Sequence, residues 1–149
     1  MKSAIIVLNY NGLETTKKFI NYLYEYTSDF IFIMVDNGST DGSVEYLKDI
    51  KKRYDNFILH LSDQNLGVIN GRNKGYEIYE SLNNKPTILG YLDNDQFVQK
   101  GWLDQHIEVM EQSSSHLVGV EAWVMSRSYV PMRRCKMLKQ PWTYIGCGG

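Results

Sequence analysis

The chain has 149 residues, 43% of them hydrophobic and 22% charged, the composition of an ordinary globular domain that buries a core without disulfide or metal staples. Sixteen basic residues against seventeen acidic ones leave a formal net charge of -1, which argues against an electrostatically driven nucleic-acid binder. Cys135 and Cys147, and the histidines His60, His106 and His116, lack zinc-ligand spacing, and no apolar run reaches the ~18 residues of a membrane span.

Apolar runs alternate with amphipathic ones almost from the first residue, which predicts an α/β fold: a Rossmann-like, mostly parallel sheet with helices on both faces. Ala4–Leu8 is a short β-branched run and reads as a buried strand. Leu13 to Tyr26 places Thr16, Phe19, Ile20, Leu23 and Tyr26 on one helical face. Phe30–Val35 is the clearest central strand, and it ends at the turn formers of Asp36-Asn37-Gly38-Ser39-Thr40-Asp41-Gly42. Asp41 or Ser43 is placed to cap the next helix, with Val44, Leu47, Ile50 and Tyr54 on its inner face. Phe57–Leu61 predicts a third strand, and Val68 to Leu82 a helix carrying Gly71 and Gly75 on one side. Interior helix glycines cost roughly 1 kcal/mol each relative to alanine, so close backbone packing is expected there. Thr87–Leu92 predicts a fourth strand, Trp102–Met110 a helix, and Leu117–Met125 a fifth strand of undetermined direction. From 131 to 149 the periodicity fades and loop is expected, within a single domain.

In an open parallel sheet, ligands bind outside the carboxyl ends of the strands. The predicted strands end in Asn9-Tyr10-Asn11-Gly12, Asp36-Asn37-Gly38, Ser62-Asp63 and Asp93-Asn94-Asp95, so these groups share one edge if the strands run parallel. The first turn lacks G-x-G-x-x-G, and the phosphate loop G-x-x-x-x-G-K-[ST] is absent, so bound phosphates need another positive partner. Asp93 and Asp95 offer hard oxygen ligands suited to Mg²⁺ or Mn²⁺, which bridge substrate phosphates; the same residues are also good turn formers. Asp36 stands where a carboxylate can meet a ribose or base, or simply form an Asx turn. Tyr10 can stack on a base or pack, and Arg72 can reach a phosphate or solvent.

Four segments in series, I-I-V-L-N-Y-N-G (5–12), V-D-N-G-S-T-D-G-S (35–43), N-L-G-V-I-N-G-R-N-K-G (65–75) and L-D-N-D-Q-F-V-Q-K-G-W-L (92–103), resemble the large glycosyltransferase family 2. Its members are inverting enzymes of the GT-A fold, bacterial polysaccharide and rhamnosyl transferases among them, and the resemblance covers residues 3–125. It implies a nucleoside-diphosphate-sugar donor, most often a UDP-sugar, and Mn²⁺ or Mg²⁺ held on a D-x-D motif. Asp95 matches the metal-ligating aspartate and Asp93 its partner near the ribose or metal, with Asn94 between them on the donor. Asp36 matches the acid that recognises the base, and Leu8, Asn9 and Tyr10 the segment lining the base pocket. Gly67 and Arg72 fall beside the ribose and phosphates.

The family's general base, a carboxylate that deprotonates the acceptor hydroxyl, is not matched: Asp104, Glu108 and Glu121 follow D-x-D, and none fits the base motif. The chain thus reads as truncated after the donor-binding half. Two alternatives stay open, a non-catalytic nucleotide-sugar-binding fragment and a nucleotidyltransferase. The expected acceptor is a glycan or lipid-linked hydroxyl, with no nucleic-acid partner. A cytoplasmic setting is expected from the lack of a signal peptide. The basic stretch Arg133, Arg134, Lys136 and Lys139 leaves contact with the inner face of a membrane open, and oligomeric state is not legible.

Overall fold

The computed structural model describes residues 3–113, 121–125, 131–134 and 144–146. The elements run β1 (Ser3–Asn9), α1 (Leu13–Tyr26), β2 (Phe30–Asp36), α2 (Ser43–Arg53), β3 (Phe57–Leu61), α3 (Gly67–Glu80), β4 (Ile88–Asp93), α4 (Trp102–Ser113), β5 (Glu121–Met125), β6 (Pro131–Arg134) and β7 (Tyr144–Gly146). The chain divides after Lys100 into two compact units.

In the first unit, four strands form one sheet in the order β3-β2-β1-β4, and every pairing is parallel. The chain steps outward from β1 to β3, then crosses back through α3 to place β4 on the other side of β1. The order therefore reverses between β1 and β4, the kind of switch point outside whose carboxyl ends open α/β sheets bind ligands. The registers align the four ends: Asn9 lies beside Asp36, Leu8 beside Asp93, and Asp36 beside Leu61.

Alternation along the strands divides the core between the two faces. Beneath α1 and α2, Phe19 and Phe32 are both wholly buried and meet edge to face, and Phe57 packs on Phe32 with ring centroids 4.8 Å apart. Tyr24 stacks on Tyr54 at 3.7 Å, and burial followed by the neighbouring Tyr54 pushes its hydroxyl pKa well up. On the other face Ala4, Ile6, Ile33 and Tyr79 form a cluster under α3, and the Tyr79 hydroxyl donates to the Pro86 carbonyl. Here the two interior glycines act as expected. A Cβ on Gly71 would collide with Leu8 Cδ1 and one on Gly75 with Ile6 Cγ2, so their absence lets α3 lie directly on β1.

Two details differ from expectation and one open point is settled. Neither Asp41 nor Ser43 is the N-cap of α2; Gly42 is, at φ 93°, and Asp41 binds from one position further out. In the second unit β5 pairs antiparallel with both β6 and β7, which settles its direction. The 131–149 segment also holds two short strands where loop was expected; Pro131 begins the edge strand β6, the kind of position to which prolines in sheets are confined. Residues 117–120 of the expected strand, Cys135, Lys136, Lys139 and Cys147 lie outside the described residues. No helix among the described residues is long and apolar enough to cross a membrane.

Candidate functional site

The carboxyl edge of the parallel sheet is a continuous polar surface. After β1 the backbone turns through Asn11 and Gly12, both at positive φ, and the Asn11 side-chain carbonyl accepts from the Thr40 amide at 2.9 Å. After β2 the turn is built on Asp36. Its Oδ1 accepts from the Ser39 amide at 2.8 Å, while Oδ2 accepts from the Ser39 hydroxyl and from Asn9 Nδ2, both at 2.7 Å. Gly38, at φ 81°, lies so close to the Gln64 backbone that a Cβ would come within 3.0 Å of its carbonyl carbon, which brings the loops after β2 and β3 together. Asn37 completes that junction, donating to Asn65 Oδ1 at 2.8 Å and accepting from the Leu66 amide at the head of α3.

After β4 the chain makes a tight turn in which the Gln96 amide donates to the Asp93 carbonyl at 3.2 Å and the Asp93 amide donates to Gln96 Oε1 at 2.9 Å. Asn94 and Asp95 are the two central residues of this turn. Three consecutive side chains leave it in different directions. Asp93 faces α3, where Arg72 Nη2 donates to its Oδ1 at 2.6 Å; both side chains keep about a third of their surface open. Asn94 turns to the α1 side and donates from Nδ2 to Asn9 Oδ1 at 2.9 Å and to Thr16 Oγ1 at 3.0 Å. Asp95 is exposed.

The expected site residues thus fall into two groups. Tyr10 (51% exposed), Arg72, Asp93, Asp95 and Gly67 present surface to solvent, and Gly67, at φ 76°, has nothing within 4 Å of where a Cβ would stand. Asn9 and Asp36 are wholly buried, with both carboxylate oxygens of Asp36 and both polar atoms of Asn9 engaged by protein groups. Leu8 is half-buried against Gly71. Asp36 and Asp93 therefore do not face each other across open space; the amides of Asn9 and Asn94 link their strands. Ser39, Thr16 and Gln96 complete the edge, and no sequence pattern singled them out. Thr16 is indistinguishable in the sequence from a residue of the buried helix face.

Chemically, the edge offers two carboxylates open to a ligand, a guanidinium beside one of them and an exposed aromatic ring at the end of the adjacent strand. Among the described residues, no group of three or more His, Cys, Asp or Glu side chains is gathered for a metal ion. A metal on Asp93 and Asp95 thus needs further oxygens from water or substrate.

Comparison with known proteins gives a consistent result. The family model for glycosyl transferase family 2 matches residues 4–145. Glycosyltransferase AglE of Haloferax volcanii is 29% identical over 78% of this chain, and the uncharacterized glycosyltransferase EpsJ of Bacillus subtilis is 31% identical over 86% of it. The chain spans only 38% and 37% of those two relatives' lengths. Among solved structures, S. aureus TarS 1-349 in complex with UDP superposes with a TM-score of 0.63 at 18% identity, covering 84% of this chain and 42% of that one. The mannosyltransferase PcManGT of Pyrobaculum calidifontis, in complex with GDP-Man and Mn²⁺, also reaches 0.63, at 16% identity over 84% of this chain and 36% of its own. The four-stranded sheet and its helices are those of the GT-A fold.

Proposed function

Because this chain belongs to glycosyl transferase family 2, we propose that it is the donor-binding part of a glycosyltransferase that moves a sugar from a nucleoside-diphosphate-sugar, preferentially a UDP-sugar, to a hydroxyl of a glycan or lipid-linked acceptor, with inversion. The observation that carries this reading is the pairing of two solvent-open carboxylates, Asp93 and Asp95, with exposed Tyr10 across the β1/β4 switch point. In support, solved relatives of the same fold hold UDP in one case and GDP-Man with Mn²⁺ in another.

The residues present fit a divalent metal. Mg²⁺ and Mn²⁺ are commonly held by one or two carboxylates, with substrate phosphates and water filling the remaining positions, so a third protein ligand is not required. Asp95 and Asp93 would hold it, and when bound it supplies charge neutralisation for the departing diphosphate. Arg72 stands beside Asp93 and adds positive charge at the same end of the cleft. Tyr10 presents its ring for base stacking. Asp36 is wholly buried with both oxygens engaged, so direct contact with a base requires the Ser39 turn to move off it. In the transfer, the acceptor oxygen bonds to the anomeric carbon as the bond to the diphosphate breaks. The leaving diphosphate takes the electron pair, and the acceptor proton passes to a general base, for which no residue of this chain is assigned.

Calorimetry with UDP, GDP and dTDP, each with and without Mn²⁺, tests the reading. UDP is expected to bind, Mn²⁺ to strengthen it, and Asp95→Asn to abolish the Mn²⁺-dependent gain. Failure of all three nucleotides to bind would falsify donor recognition. A sugar-transfer and donor-hydrolysis assay then separates a transferase from a nucleotide-sugar binder without turnover.

A further inference from the structure

The middle residue of the acidic turn is half-buried, and its two hydrogen-bond partners make unusual demands on it. Both Asp36 oxygens accept hydrogen bonds, Oδ1 from the Ser39 amide and Oδ2 from the Ser39 hydroxyl. The Asn9 group 2.7 Å from its Oδ2 must therefore be the amino group, which fixes the orientation of the Asn9 amide. Asn9 Oδ1 is then turned the other way, toward Thr16 and Asn94. The Thr16 hydroxyl spends its one hydrogen on that oxygen at 2.7 Å, so Thr16 Oγ1 has only lone pairs left for position 94. Residue 94 thus meets two acceptors at 2.9 and 3.0 Å and must bring two hydrogens. An asparagine amino group supplies both, whereas an aspartate of the same shape supplies neither.

We infer that Asn94 is a positioning residue for the proposed metal-binding carboxylates: a relay from Asp36 through Asn9 demands a double donor at position 94, and its anchoring on the α1 side holds the turn from which Asp93 and Asp95 project. The inference rests on the proposed metal-and-donor role of Asp93 and Asp95. Its mechanics are those of the turn. Asn94 and Asp95 are adjacent central residues, the turn is closed at both ends by Gln96, and Asp93 is held toward α3 by Arg72. With Asn94 pinned, rotation of the peptide planes on either side of it is restrained, and with it the backbone positions from which the two aspartates leave the turn.

The relay makes a prediction opposite in sign to simple electrostatics. Adding a third carboxylate beside two others should tighten a divalent cation. Instead, Asn94→Asp sets carboxylate oxygens against Asn9 Oδ1 and Thr16 Oγ1 and expels the side chain from its anchor, and the carboxylate pair loses its aim. Mn²⁺ affinity in the presence of UDP, read by loss of the free-ion paramagnetic resonance signal, is expected to fall about tenfold or more in Asn94→Asp, the size of effect seen when groups supporting metal ligands are removed. Asn94→Ala, which loses the donors without the repulsion, should fall by less. The penalty of Asn94→Asp should also shrink in an Asp36→Asn background, where the Asn9 amide is free to turn over and donate to the new carboxylate at position 94; this coupling links two residues that share no hydrogen bond. Thermal melts confirm that each variant is folded, and should Asn94→Asp not fold, Asn94→Ala with the same readout decides. Mn²⁺ binding in Asn94→Asp equal to or tighter than wild type overturns the relay, as does an unchanged penalty in the Asp36→Asn background. If the wild-type chain binds no Mn²⁺ with UDP or with GDP, the donor-site reading itself fails, an outcome plainly distinct from a silent Asn94 variant.

Discussion

On one face of the parallel sheet, the rings of Phe19, Phe32 and Phe57 fill the space beneath α1 and α2; on the other, Gly71 and Gly75 remove side chains so that α3 rests on Ile6 and Leu8. The first face gains stability from bulk, the second from proximity. The difference has a consequence at the carboxyl edge. The close seat of α3 brings Arg72 within 2.6 Å of Asp93, while the α1 face contributes the Thr16 hydroxyl to the buried amide of Asn9. One face delivers a charge to the open part of the site, and the other delivers a hydrogen bond to its buried support.

The sharpest way to test that contrast is to remove bulk from one face and add it to the other. Phe32 is wholly buried and touches Phe19, Tyr24, Phe30 and Phe57, so Phe32→Ala is expected to cost about 3–5 kcal/mol by chemical denaturation. On the α3 face the two glycines should respond differently. The methyl of Gly75→Ala meets Ile6 Cγ2, a branch fixed directly to a fully buried β-carbon; overpacking should outweigh the ~1 kcal/mol helix-propensity gain and leave a net loss of about 1–2 kcal/mol. That of Gly71→Ala meets Leu8 Cδ1, the end of a half-buried side chain that can turn aside, so its stability should change little. Equal losses at the two positions would show that α3 is held by something other than local side-chain contact.

The same contrast explains what could be read from the residues alone. Strand and helix order was legible because each apolar run keeps one period, and the Gly71/Gly75 pair announced a close approach because only tight packing justifies two costly glycines in one helix. Asp93 and Asp95 stood out as a pair at a strand end, but the same residue types also favour turns, and a tight turn is what they form. The burial of Asn9 and Asp36 was not legible, since a polar residue at a strand end looks alike whether it faces ligand or faces Ser39. Nor was Thr16, whose hydroxyl is hidden within an amphipathic pattern. Thr16→Val keeps the shape and deletes the hydroxyl, and should cost about 1 kcal/mol with a measurable fall in Mn²⁺ affinity as Asn9 and Asn94 each lose a partner. Loss of stability with unchanged metal affinity would confine Thr16 to packing.

The smallest effect lies at the amino ends of the two helices on the α1/α2 face. Asp41 Oδ2 accepts from the Leu13 amide at 2.8 Å, the first of α1, and Oδ1 from the Ser43 amide at 3.1 Å and hydroxyl at 2.6 Å, the first residue of α2. Slight desolvation pushes its carboxyl pKa up, but the bonds from Ser43 and Leu13 outweigh it and hold it below the ordinary aspartate value. A depressed folded-state pKa means that the ionised form is the stabilising one. Its contribution is complete above the unfolded-state pKa and disappears as the pH falls through the lower folded-state value. Because the group is exposed, screening by solvent keeps that contribution to about a few tenths of a kcal/mol. Urea midpoints of wild type and Asp41→Asn should therefore differ slightly at neutral pH and converge in acid. A gap that widens toward low pH would mean the carboxylate strains this junction instead of holding the two helix ends together.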